Sequence, residues 1–423
     1  MPQPSVSSRF AVAFEKLSPR SEDYVPEIVR LILSEARAGR ASDVHLVPAE
    51  SALVMHWRID GVLHPVAGFD RELASRIIAR LKVICGLLTY RTDVPQEGRV
   101  AREHSVTEVR VTTFPTLHGE KAAIRMFAEN DQLQRLDQLG LPPAVLSDLQ
   151  RQLEATAGVI LLTGPSGSGK TTTAYACLRD IIRQSRGARC IMTLEDPVEV
   201  AVDGATQSQV RPAAGFDLAT GLRSLMRQDP DVILVGEIRD PATAEAAFQA
   251  ALTGHLVLTT FHAGSTAEAI TRLLDMQIEP YLIRSGLRSV ICQRLLRKAC
   301  VDCAVNTHDR GRENGDLLNL EKQPDKSADE ITLRRQCDTC RSTGYLGRMV
   351  LAEMLDPNEP EVSRAILQRC DSRQLASLAE TAGMESLHHA ANKAVDAGTT
   401  TREEVLRVRG ADKKTDKGSV KTG

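Results

Sequence analysis

The sequence predicts an α/β protein built on a parallel, doubly wound sheet and preceded by a smaller α+β domain, on three observations. Continuous apolar runs recur at 158–163, 190–194, 232–235 and 256–260 with helical stretches between them. Runs without polar alternation mark strands buried on both faces, and their alternation with helices implies parallel pairing. Residues 25–126 follow a different grammar, with strands that alternate polar and apolar positions and end in turn signals. Aromatic residues are only 3 % of the 423, so the core must come from Leu, Val, Ile and Ala; that composition disfavours an aromatic-rich sandwich or an RNA-stacking platform.

Charge and composition narrow the class further. Basic and acidic side chains number 53 and 55, which excludes a basic nucleic-acid coat or an acidic tail as a description of the whole chain. With 42 % hydrophobic and 26 % charged residues, wholesale disorder is excluded too. The apolar patch 10–14 is too short for a signal-peptide core. The stretch 246–267 is broken by Gln249, Thr253, Gly254, His255 and His262, which suits a buried helix–turn–strand better than a bilayer helix. Nine cysteines in a leaderless chain point to a reducing compartment, with the cytosol as the expected home.

In chain order, 1–24 reads as a loose arm. Ile28, Leu31, Ile32 and Ala36 keep helical spacing, and Val44 and Leu46 alternate as in a strand. Residues 53–59 run into Asp60-Gly61, a hairpin signal, with Val62-Leu63 returning. A helix is expected over 73–88 and strands over 106–114 and 121–126, completing a domain over 25–132. A linker over 133–145 leads to the larger domain, 146–408. Its phosphate-loop segment, Gly164-Pro165-Ser166-Gly167-Ser168-Gly169-Lys170-Thr171, fits G-x-x-x-x-G-K-[ST] directly after a buried strand and before a helix that starts by Thr172. Its glycines let backbone N–H groups turn towards a phosphate, aided by the helix N-terminus. Lys170 would reach the β- and γ-phosphates and Thr171 would ligate Mg²⁺, so ATP and Mg²⁺ are the implied ligands.

Two strand ends supply acids. The run 231–237 delivers Glu237, and Leu194-Glu195-Asp196-Pro197 repeats the arrangement. Glu195 is the candidate for water activation and Glu237 for the Mg²⁺ shell. His262, after the last apolar run, is placed to hydrogen-bond the γ-phosphate. Cys300-x₂-Cys303 and Cys337-x₂-Cys340 read as a four-thiolate, structural zinc site. A segment at 349–354 adds a strand, short helices follow within 358–408, and 409–423 is a Lys-rich tail.

Four blocks in one order, the phosphate loop, Thr193-Leu194-Glu195-Asp196-Pro197-Val198-Glu199, Gly236-Glu237-Ile238-Arg239-Asp240 and the 254–262 segment, resemble the type II secretion and type IV pilus assembly ATPase family. In that family they correspond to the Walker A, Asp box, Walker B and His box. Ala41-Ser42-Asp43-Val44-His45, Arg58-Ile59-Asp60-Gly61, Pro95-Gln96-Glu97-Gly98-Arg99 and His118-Gly119-Glu120-Lys121 also look like its second N-terminal domain. The resemblance implies a PAS-like domain joined to a RecA-like ATPase domain, a homo-hexameric ring, and ATP near both domains and a neighbouring subunit. By motif match, Arg99, Arg110 and Arg125 are the arginines expected to reach the γ-phosphate. The tetracysteine insert, 297–348, looks like the secretion or pilus-extension branch. The implied function is ATP hydrolysis that powers pseudopilus or pilus assembly at the inner membrane. Platform proteins of that membrane are the implied partners, association is peripheral, and no nucleic acid is expected. The family's first N-terminal domain is expected to be missing. The alternatives are a conjugation-type ATPase and a non-hydrolysing nucleotide-binding scaffold.

Overall fold

A computed structural model describes residues 6–101, 109–126, 135–302, 304–305, 332–333, 337 and 339–409. The chain forms two compact units, Met1–Asn130 with Arg297–Gly347, and Asp131–Leu296 with Arg348–Gly423.

In the first unit, helices α1 (Val6–Phe14), α2 (Tyr24–Ala38) and α3 (Arg71–Ile84) accompany strands β1 (Ala41–Pro48), β2 (Ala52–Ile59), β3 (Val62–Asp70), β4 (Gln96–Arg99), β5 (Val109–Thr116) and β6 (Gly119–Met126). The strands form one antiparallel sheet in the order β3-β2-β1-β6-β5-β4. Helix α2 is amphipathic because Ile28, Val29, Ile32, Leu33 and Ala36 recur every three or four residues, and all are buried. Asp60 and Gly61 both take positive φ, 47° and 85°, the backbone of a two-residue hairpin turn whose twist matches its strands. Helix α3 stops at Ile84, four residues short of expectation, because Gly86 adopts φ 67° and ends it with a left-handed residue.

The loose arm expected over 1–24 is corrected for its described residues, from Val6 on. Phe10 is 1 % exposed and meets Trp57 and Phe69 edge-to-face, with ring centroids at 6.3 and 6.1 Å. Phe10 and Phe14, four apart, supply an apolar stripe that only the distant rings make worth burying.

The second unit contributes α4 (Pro143–Leu153), β7 (Gly158–Thr163), α5 (Lys170–Ser185), β8 (Ile191–Glu195), β9 (Thr206–Gln209), α6 (Leu218–Leu225), β10 (Val232–Val235), α7 (Pro241–Leu252), β11 (Leu256–Phe261), α8 (Thr266–Asp275), α9 (Pro280–Gly286) and the long β12 (Leu287–Ala299). After the short strands β13 (Ala304–Val305) and β14 (Thr332–Leu333), which belong to the first unit, come β15 (Tyr345–Leu355), α10 (Pro360–Leu367), α11 (Ser372–Thr381), α12 (Leu387–Asp396) and α13 (Arg402–Arg409). The sheet order is β15-β12-β7-β11-β10-β8-β9, and β12, β7, β11, β10, β8 and β9 run parallel. Apolar clusters cover both faces, around Ile160 and Leu234 on one side and Val159 and Ile233 on the other. Parallel strands put all their C-terminal ends on one edge, where ligands of such sheets gather.

The segment Arg297–Gly347 groups with the first unit rather than with the sheet it interrupts. Two contacts account for that: Arg341 Nη2 donates to Ala38 O at 2.8 Å, and Gly347 N to Asp60 Oδ2 at 3.1 Å; within the segment, Arg297 stacks 3.8 Å above the Tyr345 ring. Cys303, residues 133–134 of the linker and 410–423 of the tail lie outside the described residues. Among the described residues no helix is long and apolar enough to cross a membrane.

Candidate nucleotide-binding site

Strand β7 ends at Thr163, whose hydroxyl donates to Phe261 O at 3.2 Å and so ties the loop that follows to β11. Gly164 then takes φ 143°, and a Cβ there would lie 2.5 Å from Gln293 O on β12. Only glycine fits. Gly169, at φ 94°, turns the chain into α5, which starts at Lys170. The first-turn amides of a helix have no intrahelical acceptor, so Gly169, Lys170, Thr171 and Thr172 sit where an anion is stabilised. Lys170 is buried and bends back, its Nζ donating to Gly164 O at 2.9 Å and Pro165 O at 3.0 Å. Burial lowers the pKa of this ammonium, and the Glu237 carboxylate opposes the shift. The buried Ser168 hydroxyl has no protein partner. A cradle with a charged donor, an orphaned hydroxyl and free helix-end amides has the chemistry to take a polyphosphate.

Glu237, just past β10, joins this region. Its Oε1 lies 2.9 Å from His262 Nε2, and its Oε2 lies 3.1 Å from the guanidinium of Arg239. That pairing raises the arginine's pKa. Arg239 also reaches Asp196 Oδ2 at 3.6 Å. The backbone at His262 is held by Arg272, which donates to its carbonyl, and two residues on Gly264 is clamped between Glu268 Oε2 and Arg294 Nη2, both at 2.7 Å. Glu237 and His262 are thus in contact, and Glu237 lies within electrostatic reach of Lys170. Glu195 stands at the end of the neighbouring β8 but is only 4 % exposed, with both oxygens accepting protein hydrogen bonds from Tyr175, Thr193 and Gln207.

In the first unit, strand register lines up Arg99, Arg110 and Arg125 across β4, β5 and β6, and continues through Asp43 to Arg58. Asp43 engages Arg125 Nε at 3.2 Å and Arg58 Nε at 3.7 Å.

The sulfurs of Cys300, Cys337 and Cys340 lie within 4.8 Å of one another. Cys300 Sγ is 3.8 Å from Cys337 Sγ, and Gly344 N donates to Cys340 Sγ at 3.3 Å. Hydrogen bonding, first from the Cys340 backbone, lowers the Cys337 thiol to about 7, which favours the thiolate a metal needs. Three convergent thiols on two chain turns are a donor set that suits zinc.

Sequence reasoning missed Tyr175, Gln207 and Arg294. Tyr175 reads as one more apolar residue of a buried helix, and Arg294 lies in a stretch too rich in Arg and Lys to read as a strand. Arg239 was legible only as part of the Gly236–Asp240 block.

Phosphate loop, parallel sheet and strand-end acids together define a P-loop nucleotide-binding protein. The family model described as "Type II/IV secretion system protein" matches residues 19–407. The chain is 36 % identical over 392 residues to the type II secretion system protein HxcR of Pseudomonas aeruginosa, covering 92 % of this chain and 78 % of that one. It is 37 % identical over 394 residues to the type II secretion system ATPase E of Vibrio cholerae, with 92 % and 76 % covered. Among solved structures, the pilus retraction motor PilT with bound ADP superposes with a TM-score of 0.57 at 25 % identity, covering 91 % of this chain and 97 % of that one. This chain belongs to the type II/IV secretion system protein family.

Proposed function

We propose that this chain is an ATP-hydrolysing motor that powers pseudopilus or pilus assembly. The observation that carries the reading is the phosphate loop after β7, with Lys170 within electrostatic reach of Glu237 and Glu237 in contact with His262. Lys170 neutralises the β- and γ-phosphates once it releases the loop carbonyls, Thr171 holds Mg²⁺, and Ser168 and the α5 amides grip the phosphate oxygens. Glu237 is the better placed of the two acids to orient the attacking water, since it is partly exposed while Glu195 is closed off. His262, against Glu237, hydrogen-bonds the γ-phosphate or the water. Arg99, Arg110 and Arg125 supply charge to the γ-phosphate in a hexameric ring, in the manner of arginine fingers. Cys300, Cys337 and Cys340, with Cys303, hold a structural Zn²⁺. The motor works on the cytoplasmic side of the inner membrane, through platform proteins.

The similarity to a secretion ATPase and to an ADP-bound pilus motor supports this reading. The experiment is Mg²⁺-dependent phosphate release from ATP by the purified chain. Turnover is expected, with a loss of roughly 100-fold or more in Lys170→Ala. Equal turnover in that variant would refute the site.

A further inference from the structure

Glu195 is the meeting point of a polar network that the reading above leaves unused. Its Oε1 accepts from Thr193 Oγ1 at 2.6 Å and from Gln207 Nε2 at 3.1 Å, and its Oε2 accepts from the Tyr175 hydroxyl. The same Tyr175 oxygen accepts the Glu199 N–H at 3.2 Å. The Gln207 amide donates to Val200 O at 3.0 Å and accepts from Val202 N at 2.7 Å. Two side chains that hold one buried carboxylate therefore also hold the chain between β8 and β9. That segment begins with Asp196, whose contact with Arg239 leads on to Glu237. The strand ends also abut directly: Gly236 N donates to Leu194 O at 2.9 Å, and a Cβ on Gly236 would lie 3.3 Å from Glu195 Cα.

A carboxylate that is 4 % exposed and accepts on both oxygens is screened from water by its own donors, so it makes a poor acceptor from water and a good anchor. Burial and the adjacent carboxylate push the Tyr175 phenol up, so it stays a donor at any working pH. Tyr175 also rides on α5, the helix that begins at Lys170, so a shift of that helix on phosphate binding would pass to Glu195.

We propose that Tyr175 is a positioning residue of the hydrolytic site: by fixing Glu195 and the 196–205 segment, it lets Asp196 and Arg239 hold Glu237 towards the nucleotide. Glu195 then acts as the anchor of this latch and not as the proton acceptor. The proposal rests on the ATP-hydrolysis reading and assigns a further role within it.

Tyr175→Phe removes only the hydroxyl. The expected result is a kcat lower by about 10- to 100-fold, with KM for ATP within roughly threefold and a melting temperature within a few degrees of wild type. The Glu199 amide, deprived of its acceptor, is expected to exchange hydrogen faster while β7 and β10 amides keep their protection. Glu195→Gln, which keeps one acceptor for the phenol, is expected to lose no more than Tyr175→Phe does. A wild-type kcat in Tyr175→Phe overturns the proposal, as does a parallel loss of kcat, affinity and melting temperature. So does a far deeper loss in Glu195→Gln, which would make that acid the proton acceptor. A wild-type chain without turnover would instead refute the hydrolysis reading; Glu199 exchange in Tyr175→Phe would still decide the latch, and unchanged exchange would overturn it.

Discussion

At Gly164, two constraints act on one residue. The backbone sits at φ 143°, outside the range of L side chains, and β12 leaves no room for a Cβ beside Gln293 O. Forcing such a conformation costs about 1–3 kcal/mol before any clash is counted. Gly164→Ala is therefore expected to weaken binding of a fluorescent ATP analogue by roughly tenfold or more, with far-UV circular dichroism unchanged; wild-type affinity would contradict it. At this scale the sequence was legible where chemistry demands a fixed spacing, as in the loop from Gly164 to Thr171. It was not legible where a role depends on which strand lies next door. Glu195 and Glu237 look alike in the sequence, each ending an apolar strand. Only the arrival of Tyr175 from α5 and Gln207 from β9 separates a buried anchor from an accessible acid.

Elements are held by buried polar anchors as much as by apolar faces. Glu353, on β15 and 4 % exposed, accepts from Thr266 N at 2.8 Å, Thr266 Oγ1 at 3.1 Å and Leu387 N at 3.0 Å. One carboxylate thus caps the first turns of both α8 and α12, where the helix dipoles favour negative charge. Helix α8 follows the His262 loop directly, so the same anchor steadies that loop from behind. Glu353→Ala strands three donors in the interior and is expected to cost about 2–4 kcal/mol. That corresponds to a melting temperature lower by roughly 5–15 °C in calorimetry; an unchanged melt would show that the donors find other partners. Element existence was legible wherever one period dominates, as in α2 and β7. It failed for α1, whose stripe pays only against Trp57 and Phe69 from far along the chain. It also failed for β12, where Arg288, Gln293 and Arg294 interrupt the apolar pattern of a strand lying beside the phosphate-loop strand.

For the whole molecule, the division into two kinds of domain was legible because antiparallel strands alternate in polarity while buried parallel strands do not. The partition of Arg297–Gly347 was not, since it depends on contacts of Arg341 and Gly347 with residues 303 and 287 positions earlier. The central claim is that the loop at Lys170 and the acid at Glu237 act on one triphosphate. Glu237→Gln keeps the shape of the side chain and removes its charge. ATP binding and turnover measured side by side on this variant test the claim most directly. ATP affinity near wild type with turnover lower by about 100-fold or more is the predicted result. Turnover at the wild-type rate, with ATP bound equally well, would contradict it.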